Sequence, residues 1–360
     1  MEEILKREQT WAKEFNQPLV IAGPCSAESL EQLLETANRM DKSYVNVFRA
    51  GVWKPRTKPG TFEGVGEIGL QWLNEVKKQT GFKVATEIAN AQHAKLALEY
   101  GIDYLWIGAR STVSPFIIQE IAEALNGTEV PVIVKNPVNP DLDLWIGAIE
   151  RLAAQNIKNL GVIHRGFATY KKTKYRNKPL WQIALDFKKK LPNIPMIIDP
   201  SHIAGNRELL FEVAQQAFDL EYDGIMLESH CEPDKAWSDA SQQVTPERLL
   251  EILKGIHLRR TNTSDDNFKN RLATLRHEID ELDQHLLELL AQRTKISQKI
   301  GELKKENNVA VFQQGRWDEL LEKAQKDATK FGIDAELVET ILKAIHQDSI
   351  NIQSKIMMEE

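Results

Sequence analysis

The chain has little that would place it outside a soluble, reducing compartment. Its 360 residues contain only two cysteines, Cys25 and Cys231, too few for a disulfide framework. No apolar run approaches the roughly 18 residues that a membrane-crossing helix needs. The opening Met1-Glu2-Glu3 lacks the basic and apolar regions of a secretory leader. A net charge of −6, with both signs mixed along the chain, excludes a general nucleic-acid surface. A soluble, cytoplasmic protein with no nucleic-acid or membrane partner is therefore expected, in which positive charge matters locally. At 42% hydrophobic, the chain can build one large core and a second small domain.

What is present is a regular alternation over the first 230 or so residues. Eight short apolar runs end in a charged or metal-ligating side chain: Leu19 to Cys25, Val45 to Arg49, Val84 to Glu87, Leu105 to Arg110, Val132 to Lys135, Gly161 to Arg165, Met196 to His202 and Ile225 to Glu228. Runs this short, bounded by turn signals, read as buried parallel strands. Helical patterns lie between them, such as Gln32 to Met40, Ile68 to Lys78, Gln92 to Tyr100 and Leu209 to Phe218. This is the arithmetic of an α/β (β/α)₈ TIM barrel, whose functional groups gather where strands end. Residues 1–17 read as a short helix leading into the first strand, without room for an N-terminal regulatory domain. Cys25 and Cys231 would follow neighbouring strands, so a bridge under oxidation is conceivable; an incidental second cysteine is the plainer reading.

The barrel domain is assigned to 1–258. The polar stretch 259–270 reads as a linker. From 271 to 360 the texture is helical: Leu275, Ile279, Leu282, Leu286, Leu289 and Leu290 recur at helical spacing up to about Lys305, and two further helices follow, near 315–330 and 335–355. A helix of about 35 residues spans roughly 50 Å, too long for two shorter helices to cover. Its apolar stripe calls for a second copy of the chain, so a homodimer through the helical domain is expected.

Two sets of side chains suggest chemistry. Cys25, His202, Glu228 and Asp239 combine soft and hard donors, which suits one divalent ion of manganese, iron, cobalt or zinc better than magnesium or calcium. Arg49, Lys54, Arg56, Arg110, Lys135 and Arg165 all map to strand ends, where their mutual repulsion calls for bound anions. Guanidinium forks and ammonium groups suit carboxylate and phosphate.

Ala22 to Ser26, the Arg49 to Thr57 segment with its Lys54-Pro-Arg-Thr57, Gly108 to Arg110, Lys135-Asn136, His164 to Gly166, Asp199 to His202, Glu228 to His230 and Trp237 to Asp239 resemble 3-deoxy-D-arabino-heptulosonate 7-phosphate (DAHP) synthases of the short type Iβ kind. The resemblance implies condensation of phosphoenolpyruvate with D-erythrose 4-phosphate, releasing phosphate, as the first step of the shikimate pathway. It implies that Cys25, His202, Glu228 and Asp239 ligate the metal. Arg49, Lys54, Arg110, Lys135 and Arg165 would hold phosphoenolpyruvate. Arg56 and Thr57 would take the aldose phosphate, with Asp199 near its hydroxyls. Glu87 is a candidate for orienting the water that adds, or else for a structural salt bridge to a rim arginine. A related synthase uses arabinose 5-phosphate, but Lys54-Pro-Arg-Thr57 favours the four-carbon aldose.

On the long helix Arg293, Ser297 and Lys304 share a face. With Leu275-Arg276, Arg316, Ser349 and Gln353 they resemble the all-helical chorismate mutases, which convert chorismate to prephenate. By that resemblance Arg276 of a second subunit, with Arg293 and Arg316, would clamp the two carboxylates. Lys304 and Gln353 would donate to the ether oxygen, and Ser349 would be an accessory contact. Gln313 and Trp317 stand where many members carry acids, so turnover could be reduced. The alternative is an effector-binding and dimerising module with little catalysis. In either case prephenate or chorismate is expected to restrain the barrel as feedback.

Overall fold

The computed structural model describes residues 1–15, 18–55, 60–170, 173–260 and 262–358. They form two compact units, 1–261 and 262–360. The first is the expected barrel, with strands β1 (Leu19–Gly23), β2 (Val47–Arg49), β3 (Lys83–Ile88), β4 (Tyr104–Ile107), β5 (Val132–Lys135), β6 (Leu160–His164), β7 (Met196–Ile198) and β8 (Gly224–Glu228). All pairs are parallel, and β8 closes on β1 with Gly23 level with Glu228. The helices that alternate with them are α1 (Leu30–Asn38), α2 (Glu67–Thr80), α3 (Ala91–Glu99), α4 (Pro115–Ala124), α5 (Leu142–Ala154), α6 (Trp181–Lys190), α7 (Leu210–Asp219) and α8 (Pro246–Gly255). Side chains of Ser29, Asn90, Ser114, Asp141 and Thr245 accept backbone hydrogen bonds at the starts of α1, α3, α4, α5 and α8, which explains where those helices begin.

The barrel has two apolar layers. Val47, Ala85, Trp106, Ile133, Ile163, Ile197 and Met226 fill its interior, while Val20, Phe48, Leu105, Val134 and Leu227 face the helices. Side chains alternate with a period of two. The residue two places beyond each interior position therefore also faces inward, and these residues are Arg49, Glu87, Gly108, Lys135, Arg165, Asp199 and Glu228. His164, one place out of step, lies in the outer layer against Trp145, Trp181 and Tyr222. At the opposite end the indole N–H of Trp11 donates to Leu160 O (3.1 Å), and Gln9 Oε1 accepts from Leu160 N (3.0 Å). The N-terminal segment thus plugs the barrel floor.

The second unit contains α9 (Asp266–Glu306), α10 (Gln314–Phe331) and α11 (Ala335–Met358). Asp265 caps α9, accepting from Phe268 N at 3.1 Å, so the latter part of the stretch expected as linker is already helical. At 41 residues α9 is about 60 Å long. Its C-terminal half packs on α11 through Gly301, where an added Cβ would lie 2.9 Å from Ile356 Cδ1 and 3.2 Å from Gln353 Cγ. Along α9, Leu275, Ile279, Leu282, Leu286, Leu289, Ile296, Ile300 and Leu303 are exposed, Leu282 to 66%. Their spacing alternates between three and four residues, interrupted only by Arg293, as in the seam of a coiled coil. Among the described residues, no helix is long and apolar enough to cross a membrane.

Candidate functional site

The strand ends converge on one cup. Gly23 lies so close to β2 that a Cβ would sit 2.1 Å from Arg49 O, and this approach lets Arg49 Nη2 donate to Cys25 O at 3.2 Å. Cys25, Glu228 and Asp239 bring one ligand atom each within 4.8 Å of one another. His202 Nε2 stands 3.9 Å from Glu228 Oε1, while its Nδ1 is held by Asp199 Oδ2 at 2.9 Å. With Nδ1 held by Asp199, Nε2 is turned toward Glu228, the arrangement by which carboxylates orient metal-ligating histidines.

The charges in the cup are mutually dependent. Burial, reinforced by Glu228, pushes the Cys25 thiol up to about 12, against the pull of Lys54, whose Nζ is 3.0 Å from Cys25 Sγ. Burial would raise the Asp239 carboxyl, but Arg176, His202 and Lys54 together hold it well below the usual carboxylate range. Burial likewise opposes ionisation of Glu228, and His202 and Arg49 outweigh it. Glu228 Oε1 lies 3.4 Å from Arg49 Nη2 yet makes no hydrogen bond. An orphaned buried oxygen beside a thiol, a carboxylate and an imidazole is a donor set that a divalent cation would complete.

Of the expected anion-binding residues, Arg49 and Lys135 stand over the Trp106 ring at 4.7 and 5.9 Å. Lys135 Nζ is 2.7 Å from Asp199 Oδ2. Arg165 is buried, and that burial lowers its guanidinium to about 10. Arg110 is exposed on the short helix Ala109–Thr112 at the rim. Lys54 is half-buried beside Cys25. Arg56 and Thr57 lie outside the described residues. Glu87 Oε2 accepts from the Trp106 indole at 3.1 Å. Gly108 makes room for that carboxylate, since a Cβ there would lie 2.1 Å from Glu87 Oε1. Both cysteines are free thiols, and Cys231 Sγ faces Gln32 O and His230 rather than Cys25. Three groups escaped the strand-end pattern: Trp106, Arg176 and Gln242. Trp106 shared the inward parity of its strand, whereas Arg176 and Gln242 sit on loops without periodicity.

In the helical unit a cavity of about 430 Å³ is lined by Arg293, Ser297, Lys304, Arg316, Ser349 and Gln353, with Gln313, Trp317 and His346 on its wall. Arg293 Nη1 donates to Ser349 Oγ at 2.6 Å, Lys304 Nζ to Val311 O at 2.6 Å and Gln353 Nε2 to Ser297 Oγ at 3.2 Å. Gln353 Oε1 is buried without a partner. Arg316 pairs with the exposed Glu319 at 3.2 Å. Trp317 stacks on His346 with centroids 4.0 Å apart. His346 was not anticipated, since a lone histidine on a helix carries no signal. Arg276 is exposed on α9 and does not line this cavity.

Comparison with known proteins matches residues 5–261 to the DAHP synthetase I family and residues 275–354 to chorismate mutase type II. A phospho-2-dehydro-3-deoxyheptonate aldolase of Thermotoga maritima is 32% identical over 235 residues, covering 65% of this chain and 68% of the relative. A 2-dehydro-3-deoxyphosphooctonate aldolase of Nitratidesulfovibrio vulgaris is 26% identical over 260 residues, covering 65% of this chain and 89% of that one. The crystal structure of the Thermotoga maritima DAHP synthase aligns with a TM-score of 0.60 at 30% identity, over 66% of this chain and 67% of that one. The protein therefore belongs to the DAHP synthetase I family and carries a chorismate mutase type II domain after its barrel.

Proposed function

We propose that the barrel, assigned to 1–258, condenses phosphoenolpyruvate with D-erythrose 4-phosphate to DAHP and phosphate. The observation that carries this is the convergence of Cys25, Glu228 and Asp239 with inward-facing Arg49, Lys135 and Arg165 in one cup. Cys25, His202, Glu228 and Asp239 would hold one divalent ion of manganese, iron, cobalt or zinc, which when bound supplies Lewis-acid polarisation of the aldehyde. Arg49, Lys54, Arg110, Lys135 and Arg165 bind the carboxylate and phosphate of phosphoenolpyruvate, and Arg56 and Thr57 take the aldose phosphate. Asp199 lies near the aldose hydroxyls, and Glu87 orients the water that adds at carbon 2. Holding two anions in attack geometry beforehand removes entropy from the barrier, and the cations offset charge as the enol attacks. The 32% identity to a seven-carbon synthase, against 26% to an eight-carbon one, supports the four-carbon aldose. Phosphate release from phosphoenolpyruvate tests this: erythrose 4-phosphate should be the faster substrate, and faster turnover with arabinose 5-phosphate would overturn the assignment.

The helical domain, assigned to 271–360 after a linker at 259–270, is proposed to rearrange chorismate to prephenate as a homodimer. Arg293, Arg316 and the Arg276 of a second copy would clamp the carboxylates. Lys304 and Gln353 would donate to the ether oxygen, with Ser349 an accessory contact, so that the compact transition state binds better than the extended substrate. The near absence of a core in one copy supports pairing, because Ser297 and Gly301 are the buried residues of α9. The Trp317–His346 stack and Gln313 in the cavity favour a second reading, in which the domain chiefly binds prephenate or chorismate and restrains the barrel. Assay of the segment 260–360 separates the two: binding without rearrangement leaves the effector role alone. Cutting the linker should leave barrel activity insensitive to prephenate. A cytoplasmic setting suits both reactions.

A further inference from the structure

The loop between β6 and α6 holds a segment that the strand-end pattern does not explain. Arg176 Nη1 donates to Asp239 Oδ1 at 3.0 Å and to Gln242 Oε1 at 2.7 Å, and Gln242 Nε2 donates in turn to Glu228 Oε2 at 2.7 Å. Each carboxylate is thereby held by one oxygen and presents the other to the cup. Glu228 Oε1 makes no hydrogen bond, and Asp239 Oδ2 lies 3.4 Å from Cys25 Sγ. The same segment grips the turn that bears His202. Arg176 N donates to Ala204 O and Asn177 N to Ile203 O, both at 3.2 Å, while Asn177 Nδ2 donates to His202 O at 2.6 Å. Gly205, at φ +71°, leaves room for this, since a Cβ there would lie 2.5 Å from Arg176 Cβ. On its other side the segment returns to the end of β6: Phe167 and Lys178 exchange backbone hydrogen bonds of 2.8 and 2.9 Å. Arg165 and Arg176 each lie two residues before a partner in this antiparallel bridge.

We propose that Arg176 and Gln242 are positioning residues that fix Glu228, Asp239 and the His202 turn in the arrangement a divalent cation requires. The inference rests on the metal site proposed above. A carboxylate with both oxygens free must lose rotational freedom when an ion binds. One already tethered has lost it in folding, so the tether raises affinity without touching the ion. The Arg176 charge also reduces the repulsion between Glu228 and Asp239, which share one small site.

The test is Mn²⁺ binding, followed by titration calorimetry, to the full-length chain stripped with chelator. Gln242→Leu and Arg176→Gln should each weaken binding about 10- to 100-fold. Arg176→Lys should restore part of the loss. If Gln242→Leu fails to fold, Arg176→Gln carries the test, because that side chain is 46% exposed. Wild-type affinity in Arg176→Gln would overturn the clamp while leaving the metal site standing. An absence of Mn²⁺ binding by the unaltered chain would instead remove the metal reading beneath it.

Discussion

Lys135 Nζ and Asp199 Oδ2 meet at 2.7 Å where water scarcely reaches either side chain. Burial alone would raise the Asp199 carboxyl, but His202 and Lys135 hold it well below the usual carboxylate range. Removing the carboxylate strands a buried ammonium. Asp199→Ala is therefore expected to cost about 3–5 kcal/mol in urea unfolding. A variant as stable as wild type would show that Lys135 finds another partner.

Cys25→Ala should lose most synthase activity through weaker metal binding, with partial recovery as Mn²⁺ is added in excess. The measurement is activity against metal concentration after chelator treatment. Full activity in the washed variant would remove Cys25 from the ligand set.

His164 sits between Tyr222 Oη, 2.8 Å away, and Pro179 O, 2.6 Å away, and burial lowers it to about 4. The unfolded chain takes up a proton near pH 6.5 that the folded barrel refuses until about pH 4. The stabilisation is therefore complete above 6.5 and falls as the pH drops through that window, by about 3 kcal/mol in all. Unfolding free energies measured from pH 7 to 4 should show this slope, and His164→Gln should flatten it.

Arg276→Ala and Arg293→Ala should each abolish mutase turnover, yet a mixture that exchanges subunits should regain about a quarter of wild-type activity, because half the dimers then contain one intact site. Steady-state mutase assays on mixed and unmixed variants check this. No recovery on mixing would place both arginines in the same subunit's site.

Much of the barrel could be read from the chain because burial on both faces leaves short apolar strands, and a period of two carries each strand's inward face through to its charged end. Val47 leads to Arg49 and Met226 to Glu228 by that rule alone. Arg176 and Gln242 obey no period: they reach the cup because loops from β6 and β8 fold over it, a long-range event with no local signature. The long helix was legible from its apolar spacing, but its true start was not. The residues from Asp266 to Asn270 are polar apart from Phe268 and resemble a linker until the Asp265 cap is seen. His346 became visible only when Trp317 stacked on it.

The Trp11 plug makes the barrel a blind well. With Trp11 and Gln9 closing the floor and the apolar layer above them filling the interior, any ligand of the cup enters and leaves at the carboxyl ends of the strands.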